Sequence, residues 1–278
     1  MSMIIAIPTR GRTTSQQTLA GLPPSLRDRT LVFAPAEERD SLVRFMRNSL
    51  GWSEPEARGA VYDVTDPAIT IARKRHLMMQ VLDTMGADKV LMLDDDLFFY
   101  HRYWKQDANG GKGDWRLLDS DPDTVLHWFG QLEERLSPDM PHGGFGPRQG
   151  NNNYPVGWVD RGSRMMLALG YHVRTALERA EWGRIETRED MDVSLQLLRA
   201  GLPNTVTHDF CVGQKTYAAA GGCTGQRTQE SSDADAHRLA ELHPGLVRVV
   251  EKAYKGHPRK EVVVQWKRAL DSGRAGSQ

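Results

Sequence analysis

Residues Lys89 to Tyr100 read KVLMLDDDLFFY. An apolar run, Val90 to Leu93, meets three consecutive carboxylates, Asp94, Asp95 and Asp96, and apolar residues resume at Leu97. The run predicts a buried strand, with the carboxylates at its C-terminal end. The LFF that follows draws the chain back toward the core, which argues against a simple solvated turn. Adjacent carboxylates raise one another's pKa unless a cation sits among them. Side chains alternate along a strand, so Asp94 and Asp96 are expected on one side and Asp95 on the other. Asp94 and Asp96 are then the working pair, and Asp95 serves structure.

The segments ahead of this strand follow one rhythm. MIIAIP (3–8), TLVFAP (30–35) and GAVYDV (59–64) read as strands. AEERDSLVRFMRNSL (36–50) has the apolar spacing of a helix. DPAITIARKRHLMMQVLDTM (66–85) reads as a second helix, with Asp66 as N-cap and Pro67 at its first position. Strands alternating with helices imply an α/β fold with a mostly parallel central sheet, and near-continuous apolar strands suit a sheet covered on both faces.

Beyond Asp96 the rhythm breaks. HRYWKQDANGGKGDWRLLDSD (101–121) reads as a long loop or hairpin, and DPDTVLHWFGQLEERL (121–136) as an amphipathic helix. PHGGFGPRQGNNNYP (141–155), rich in Gly, Pro and Asn, reads as a loop. RMMLALGYHV (164–173) and NTVTHDFCVGQ (204–214) read as strands. REDMDVSLQLLRAG (188–201) reads as a helix closed by Gly201, with Met191, Leu195, Leu198 and Leu202 on one face. No repeat or linker appears, so a single domain with a decorated C-terminal half is expected. Residues 1–230 form its body, and 231–278 a helical, basic extension packed on it.

Composition narrows the function. The 278 residues carry zero formal net charge, which excludes a globally basic nucleic-acid binder. No stretch of about 18 apolar residues exists to span a membrane. The opening MSMIIAIPTRGR lacks the pattern of a signal peptide, and the two cysteines, Cys211 and Cys223, suit a reducing cytoplasm.

In open α/β sheets, ligands bind beyond the C-terminal strand ends. Thr9, Arg10 and Arg12 follow the first strand at that edge, and Arg73, Lys74 and Arg75 open the helix before the carboxylate strand. Guanidinium groups pair with phosphate. Mg2+ or Mn2+ would reconcile Asp94 with Asp96, since these ions take oxygen ligands and keep open positions. Glu189, Asp190 and Asp192 begin a later helix. At about 100° per residue, Asp190 and Asp192 point about 200° apart and do not serve one site together. A metal-dependent phosphatase or nucleotidyltransferase using Asp94 and Asp96 also fits, as does a sugar-nucleotide-binding module without catalysis. Phosphatases of this pattern prefer a small residue where Leu97 stands.

Together, IIAIPTRGR (4–12), LMLDDD (91–96) and REDMDVSLQLLRAG resemble an inverting glycosyltransferase of the GT-A fold. More narrowly, IAIPTRGR, IARKRHL (71–77), KVLMLDDDLFFYHR (89–102), HDFCVGQ (208–214) and GGC (221–223) resemble the phage-encoded TET-associated glycosyltransferases. The resemblance implies transfer of a sugar from a UDP-sugar to 5-hydroxymethylcytosine in DNA, in an infected host's cytoplasm. It implies donor binding by Pro8, Thr9, Arg10, Arg12, Arg73 and Asp94, and a divalent metal on Asp94, Asp96 and His208. Asp190 is the implied base, with Glu189 in reserve. Loops 109–114 and 143–153 are expected to close over the donor. Tyr103, Trp104 and Trp115 offer stacking surfaces, and the basic tail with Trp266 offers a phosphate-contacting one.

Overall fold

The computed structural model describes residues 2–66, 68–106, 114–149, 154–214, 228–254 and 257–276. The chain opens with β1 (Ile4–Pro8), α1 (Gln17–Gly21), β2 (Thr30–Pro35), α2 (Arg39–Leu50), α3 (Glu54–Ala60), β3 (Val61–Val64), α4 (Ile71–Thr84) and β4 (Lys89–Leu93). The middle holds β5 (Phe98–Lys105), β6 (Asp114–Asp119), α5 (Pro122–Arg135), β7 (His142–Pro147), β8 (Trp158–Asp160) and β9 (Ala168–His172). Then come α6 (Val173–Arg179), α7 (Glu189–Arg199) and β10 (Asn204–Gly213). An extension of α8 (Gln229–Leu242), β11 (Val247–Tyr254), β12 (His257–Val264) and α9 (Trp266–Ala275) follows.

Among the described residues, 10 strands form one sheet in the order β3–β2–β1–β4–β9–β7–β10–β5–β6, with β8 beside β10. β3, β2, β1 and β4 are parallel neighbours. β9 runs against β4 and β7, and β5 and β8 run against β10. All other strands of the sheet share one direction, so the α/β class and the mostly parallel sheet read from the sequence are present. The C-terminal ends of β1, β4 and β10 therefore share one edge.

Period-two alternation divides the parallel strands between two cores. Ile5, Ile7, Leu91 and Leu93 pack with Leu42, Met46, Ala57, Phe129 and Leu132 of α2, α3 and α5. Ala6, Val90 and Met92 pack with Met78, Met79, Leu82 and Ala176 of α4 and α6. Each fully buried Ile, Leu, Val, Phe or Met among these contributes about 1.5–3 kcal/mol. A third core joins Met191, Leu195 and Leu198 of α7 to Leu239, Leu246, Ala269 and Leu270 of the extension. Leu202, expected on that same face of α7, packs on the sheet-side core instead.

Three local readings need correction. Helix α4 begins at Ile71, with Thr70 accepting from the Arg73 N–H, not at Asp66. The Asp66 side chain is used in its own turn, accepting from the Ala68 N–H at 2.9 Å; Pro67 lies outside the described residues. GAVYDV is strand only from Val61, because Gly59 and Ala60 complete α3, which a Ser53–Glu56 capping box starts. The glycine-rich HGGFGP is no loop but the buried strand β7. A Cβ at Gly143 would lie 2.6 Å from Thr205, one at Gly144 2.2 Å from the Ala168 carbonyl, and one at Gly146 2.1 Å from His208. The glycines let β7 squeeze between β9 and β10. Of the loops 109–114 and 143–153 expected to close over the donor, residues 109–113 and 150–153 lie outside the described residues, while Asp114 begins β6 and 143–147 belong to β7.

His142 opens β7 and is fully buried, and burial pushes its pKa down to about 4. The unfolded chain therefore binds the proton more tightly, and stability present above about pH 6.5 falls as pH drops toward 4. About 2 kcal/mol should be lost between pH 6.5 and 5 at this residue. Urea titrations should show this part of the slope vanish in His142→Gln.

Candidate active site

The first-strand loop and the carboxylate triplet are bonded to each other. Buried Thr9 donates to Asp95 Oδ2 at 2.5 Å, and Gln16 Nε2 donates to Thr9 Oγ1 at 2.8 Å. Arg12 Nη1 donates to Asp95 Oδ1 and pairs with Asp96 Oδ2 at 3.0 Å. Thr18 pins the triplet's backbone: its hydroxyl donates to the Asp94 carbonyl at 2.5 Å and accepts from the Leu97 N–H at 2.9 Å. Gly11, at φ +69°, gives its N–H to both carboxylate oxygens of Glu38, at 2.8 and 2.9 Å. That left-handed turn is one glycine adopts without strain.

The triplet alternates in burial. Asp95 is buried, while Asp94 and Asp96 are partly exposed, with side-chain exposures of 25% and 16%. Burial raises Asp94 above the usual carboxylate range, and Asp96 and Asp190 add to this against the pull of Arg75. Burial also lifts Asp95 to about 6, even with Thr9 and Arg12 opposing. β4 ends at Leu93, so the strand alternation expected of the triplet does not extend to it: Asp95 shares Arg12 Nη1 with Asp96, and it anchors the loop that carries Thr9 and Arg12.

Arg75 is the keystone. It is buried, and it donates from Nη2 to Asp94 Oδ1 at 2.7 Å and from Nη1 to Glu189 Oε1 at 2.5 Å. Burial pulls its pKa down, yet Glu189 and Asp94 outweigh this and hold it above the usual arginine value. One guanidinium thereby joins the end of β4 to the start of α7. Neighbouring Lys74 reaches back to β1, donating to the Thr9 carbonyl at 3.0 Å.

Glu189 is 6% exposed and committed to Arg75, whereas Asp190, next to it, is half-buried. Asp190 Oδ1 accepts from the Met191 N–H at 2.9 Å. Asp192 points elsewhere, into bonds with Arg184 and His243. Tyr171 on β9 is fully buried, and its pKa is raised by burial within the fields of Arg75, Asp190 and Glu189. Gln214, at the end of β10, donates to Asp96 Oδ1 at 2.7 Å.

Of the predicted donor residues, Pro8, Thr9, Arg12 and Asp94 converge here, and Arg10 follows in the same loop with its Nη1 buried and unpartnered. Arg73 is exposed at the rim, 3.9 Å from Glu186. His208 is not brought in. It stands six residues before Gln214 on β10, roughly 15–20 Å along a strand. It stacks on Tyr154 with ring centroids 3.5 Å apart, and burial holds its pKa down at about 4. Among the described residues no three His, Cys, Asp or Glu side chains form a ready metal cluster. Lys74 and Arg75, read with Arg73 as opening the helix, and Gln214, within HDFCVGQ, had been given no role in the site. Arg75 had a signal: it falls between Ala72 and Met79 on the buried stripe of α4, where an arginine needs partners.

The carboxylates Asp94, Asp95, Asp96, Glu189 and Asp190 outnumber the cations Arg10, Arg12, Lys74 and Arg75. A site with this acidic excess, beside the unpartnered Arg10 Nη1, suits a divalent cation with an anionic ligand. A family model described as TET-Associated Glycosyltransferase matches residues 3–222. The chain belongs to the TET-associated glycosyltransferase family. As a member of that family it is a glycosyltransferase, and the phosphatase and nucleotidyltransferase alternatives fall away. No curated protein matches the sequence.

Solved structures give remote likenesses. The mannosyltransferase PcManGT from Pyrobaculum calidifontis, in complex with GDP-Man and Mn2+, is 12% identical, with a TM-score of 0.48 over 87% of this chain and 62% of that one. GalNAc-T7 with UDP, GalNAc and Mn2+ is 10% identical, at 0.45 over 87% of this chain and 48% of that one. The mannose-1-phosphate geranyltransferase from Thermus thermophilus is 12% identical, at 0.42 over 100% and 98%. The family assignment stands on the family match, not on these. No helix of the described residues is long and apolar enough to cross a membrane.

Proposed function

We propose that this glycosyltransferase moves a sugar from a UDP-sugar to 5-hydroxymethylcytosine in DNA, with inversion at the anomeric carbon and with Mn2+ or Mg2+ bound. The observation that supports this best is the Arg75 bridge, which ties Asp94 of the triplet to the turn bearing Asp190. Donor-side and acceptor-side groups are thereby held in one cleft.

Asp94 and Asp96 would hold the cation, which supplies positive charge to the diphosphate of the donor. Arg10 and Arg73 bind the same diphosphate from the protein side, and Thr9 and Arg12 line the nucleotide side of the cleft. Asp190 takes the proton from the acceptor hydroxyl as its oxygen bonds to the anomeric carbon. The bond from that carbon to the diphosphate oxygen breaks, and its electron pair leaves with UDP. Glu189, neutralised by Arg75, orients the turn instead of serving as base.

The DNA acceptor is supported by the family's description and by the motifs, not by charge. A target base has to leave the helical stack to reach such a cleft. Trp104, exposed on β5 against Trp115 of β6, is not beside the cleft: it lies six residues along β5 from Phe98, roughly 20 Å from the carboxylate edge. Trp266 packs on the third core. The test combines hydroxymethylcytosine DNA, Mn2+ or Mg2+, and UDP-glucose, UDP-galactose or UDP-N-acetylglucosamine. Mass spectrometry of the released nucleosides should show one sugar-sized gain. No gain with any donor would remove the proposed acceptor and donor class.

A further inference from the structure

The turn that carries Glu189 and Asp190 is held by residues that lie beyond the family match, in the extension from Gln229 to Ala275. Arg188, directly before Glu189, has φ +67°. A non-glycine residue keeps that left-handed conformation only where its surroundings hold it. Thr187 donates from both its N–H and its hydroxyl to Asp235 Oδ2 on α8, each at 2.7 Å. Arg188 Nη2 donates to the Lys260 carbonyl of β12 at 3.1 Å. Just past α8, fully buried His243 has Nε2 2.8 Å from Asp192 Oδ1, on the carboxylate whose two oxygens both accept from Arg184. At the far end of α7, α9 comes so close that a Cβ on Gly273 would lie 2.5 Å from the Gly201 nitrogen.

A tail built only to touch DNA phosphates would turn its polar groups outward. Asp235, His243 and the Lys260 carbonyl instead face the start of α7 from α8, its C-cap and β12.

We infer that the extension is a clamp that fixes the Arg188 turn and so aims Asp190, with Asp235 as a positioning residue. The inference rests on Asp190 being the base. Asp235→Ala removes the acceptor of both Thr187 bonds, whereas Asp235→Asn keeps an Oδ1 that accepts them. Both variants of the full chain are assayed with hydroxymethylcytosine DNA and the active UDP-sugar, beside Asp190→Asn. Amide hydrogen exchange is followed over residues 187–192. Asp235→Ala should speed exchange there and lower kcat up to about 100-fold, the cost of a misplacement near 1 Å, with the donor KM kept. Asp235→Asn should match the parent in both readouts. Unchanged exchange in Asp235→Ala would overturn the clamp, as would an Asp235→Asn as impaired as Asp235→Ala. Faster exchange with full kcat, while Asp190→Asn is inactive, would overturn its link to catalysis. If Asp190→Asn itself keeps turnover, the base assignment falls, and exchange alone decides the clamp.

Discussion

Asp190→Asn is expected to lower turnover about 10³-fold while leaving donor binding within a few-fold of the parent. Positioned bases contribute about 10²- to 10⁴-fold, and an amide cannot take the acceptor proton. The substitution is clean for structural reasons. Asp190 is half-buried and its one intramolecular bond, to the next backbone N–H, survives in Asn. The helix start loses one favourable negative charge, a cost of about 0.3–1 kcal/mol. Glu189→Gln would be a poor substitute, because it also strips Arg75 of a partner. Single-turnover transfer and calorimetric titration with UDP are the matching measurements. Transfer at the parental rate would remove Asp190 as base.

Arg75→Met should cost about 3–5 kcal/mol of stability, the usual penalty for breaking a buried ion pair from one side. Met fills the space of the aliphatic stem but leaves Glu189 and Asp94 without their shared cation. Glu189 is 6% exposed and cannot recover its loss from solvent. Pairing Arg75→Met with Glu189→Gln should return part of the stability, because the stranded charge is then gone. Urea denaturation of the two variants measures both terms. A loss under 1 kcal/mol in Arg75→Met would show that the bridge is not what joins β4 to α7.

The parallel half of the fold was legible because its signals are local. Four short apolar runs, each ending in a polar turn, leave little choice but parallel strands under helices. Helix α3 was legible too, though unread: Ser53 and Glu56 spell its capping box. β7 was misread because glycine has two opposite uses, freedom in a loop and close approach in a sheet. Only the neighbours Thr205, Ala168 and His208 decide between them, and they are distant in sequence. The same limit explains the site. The local strand signal reaches only to Leu93, where β4 ends. That Asp95 ties down Thr9 and Arg12, and that Arg75 reaches Glu189, depends on pairings across 83 to 114 positions of chain. His208 went astray for the matching reason: its place in the sequence suited a ligand, but β10 carries it down the strand from the carboxylate edge.

Helix α7 turns almost no face to water. Val193 and Leu197 enter the sheet-side core, while Met191, Leu195 and Leu198 enter the core shared with the extension. The boundary of the family match, at residue 222, is therefore not the boundary of the folding unit. The segment shared with the family model ends before the part that covers the back of α7. A chain trimmed to the shared segment would leave that apolar stripe open to association with other copies, whatever its cleft retained.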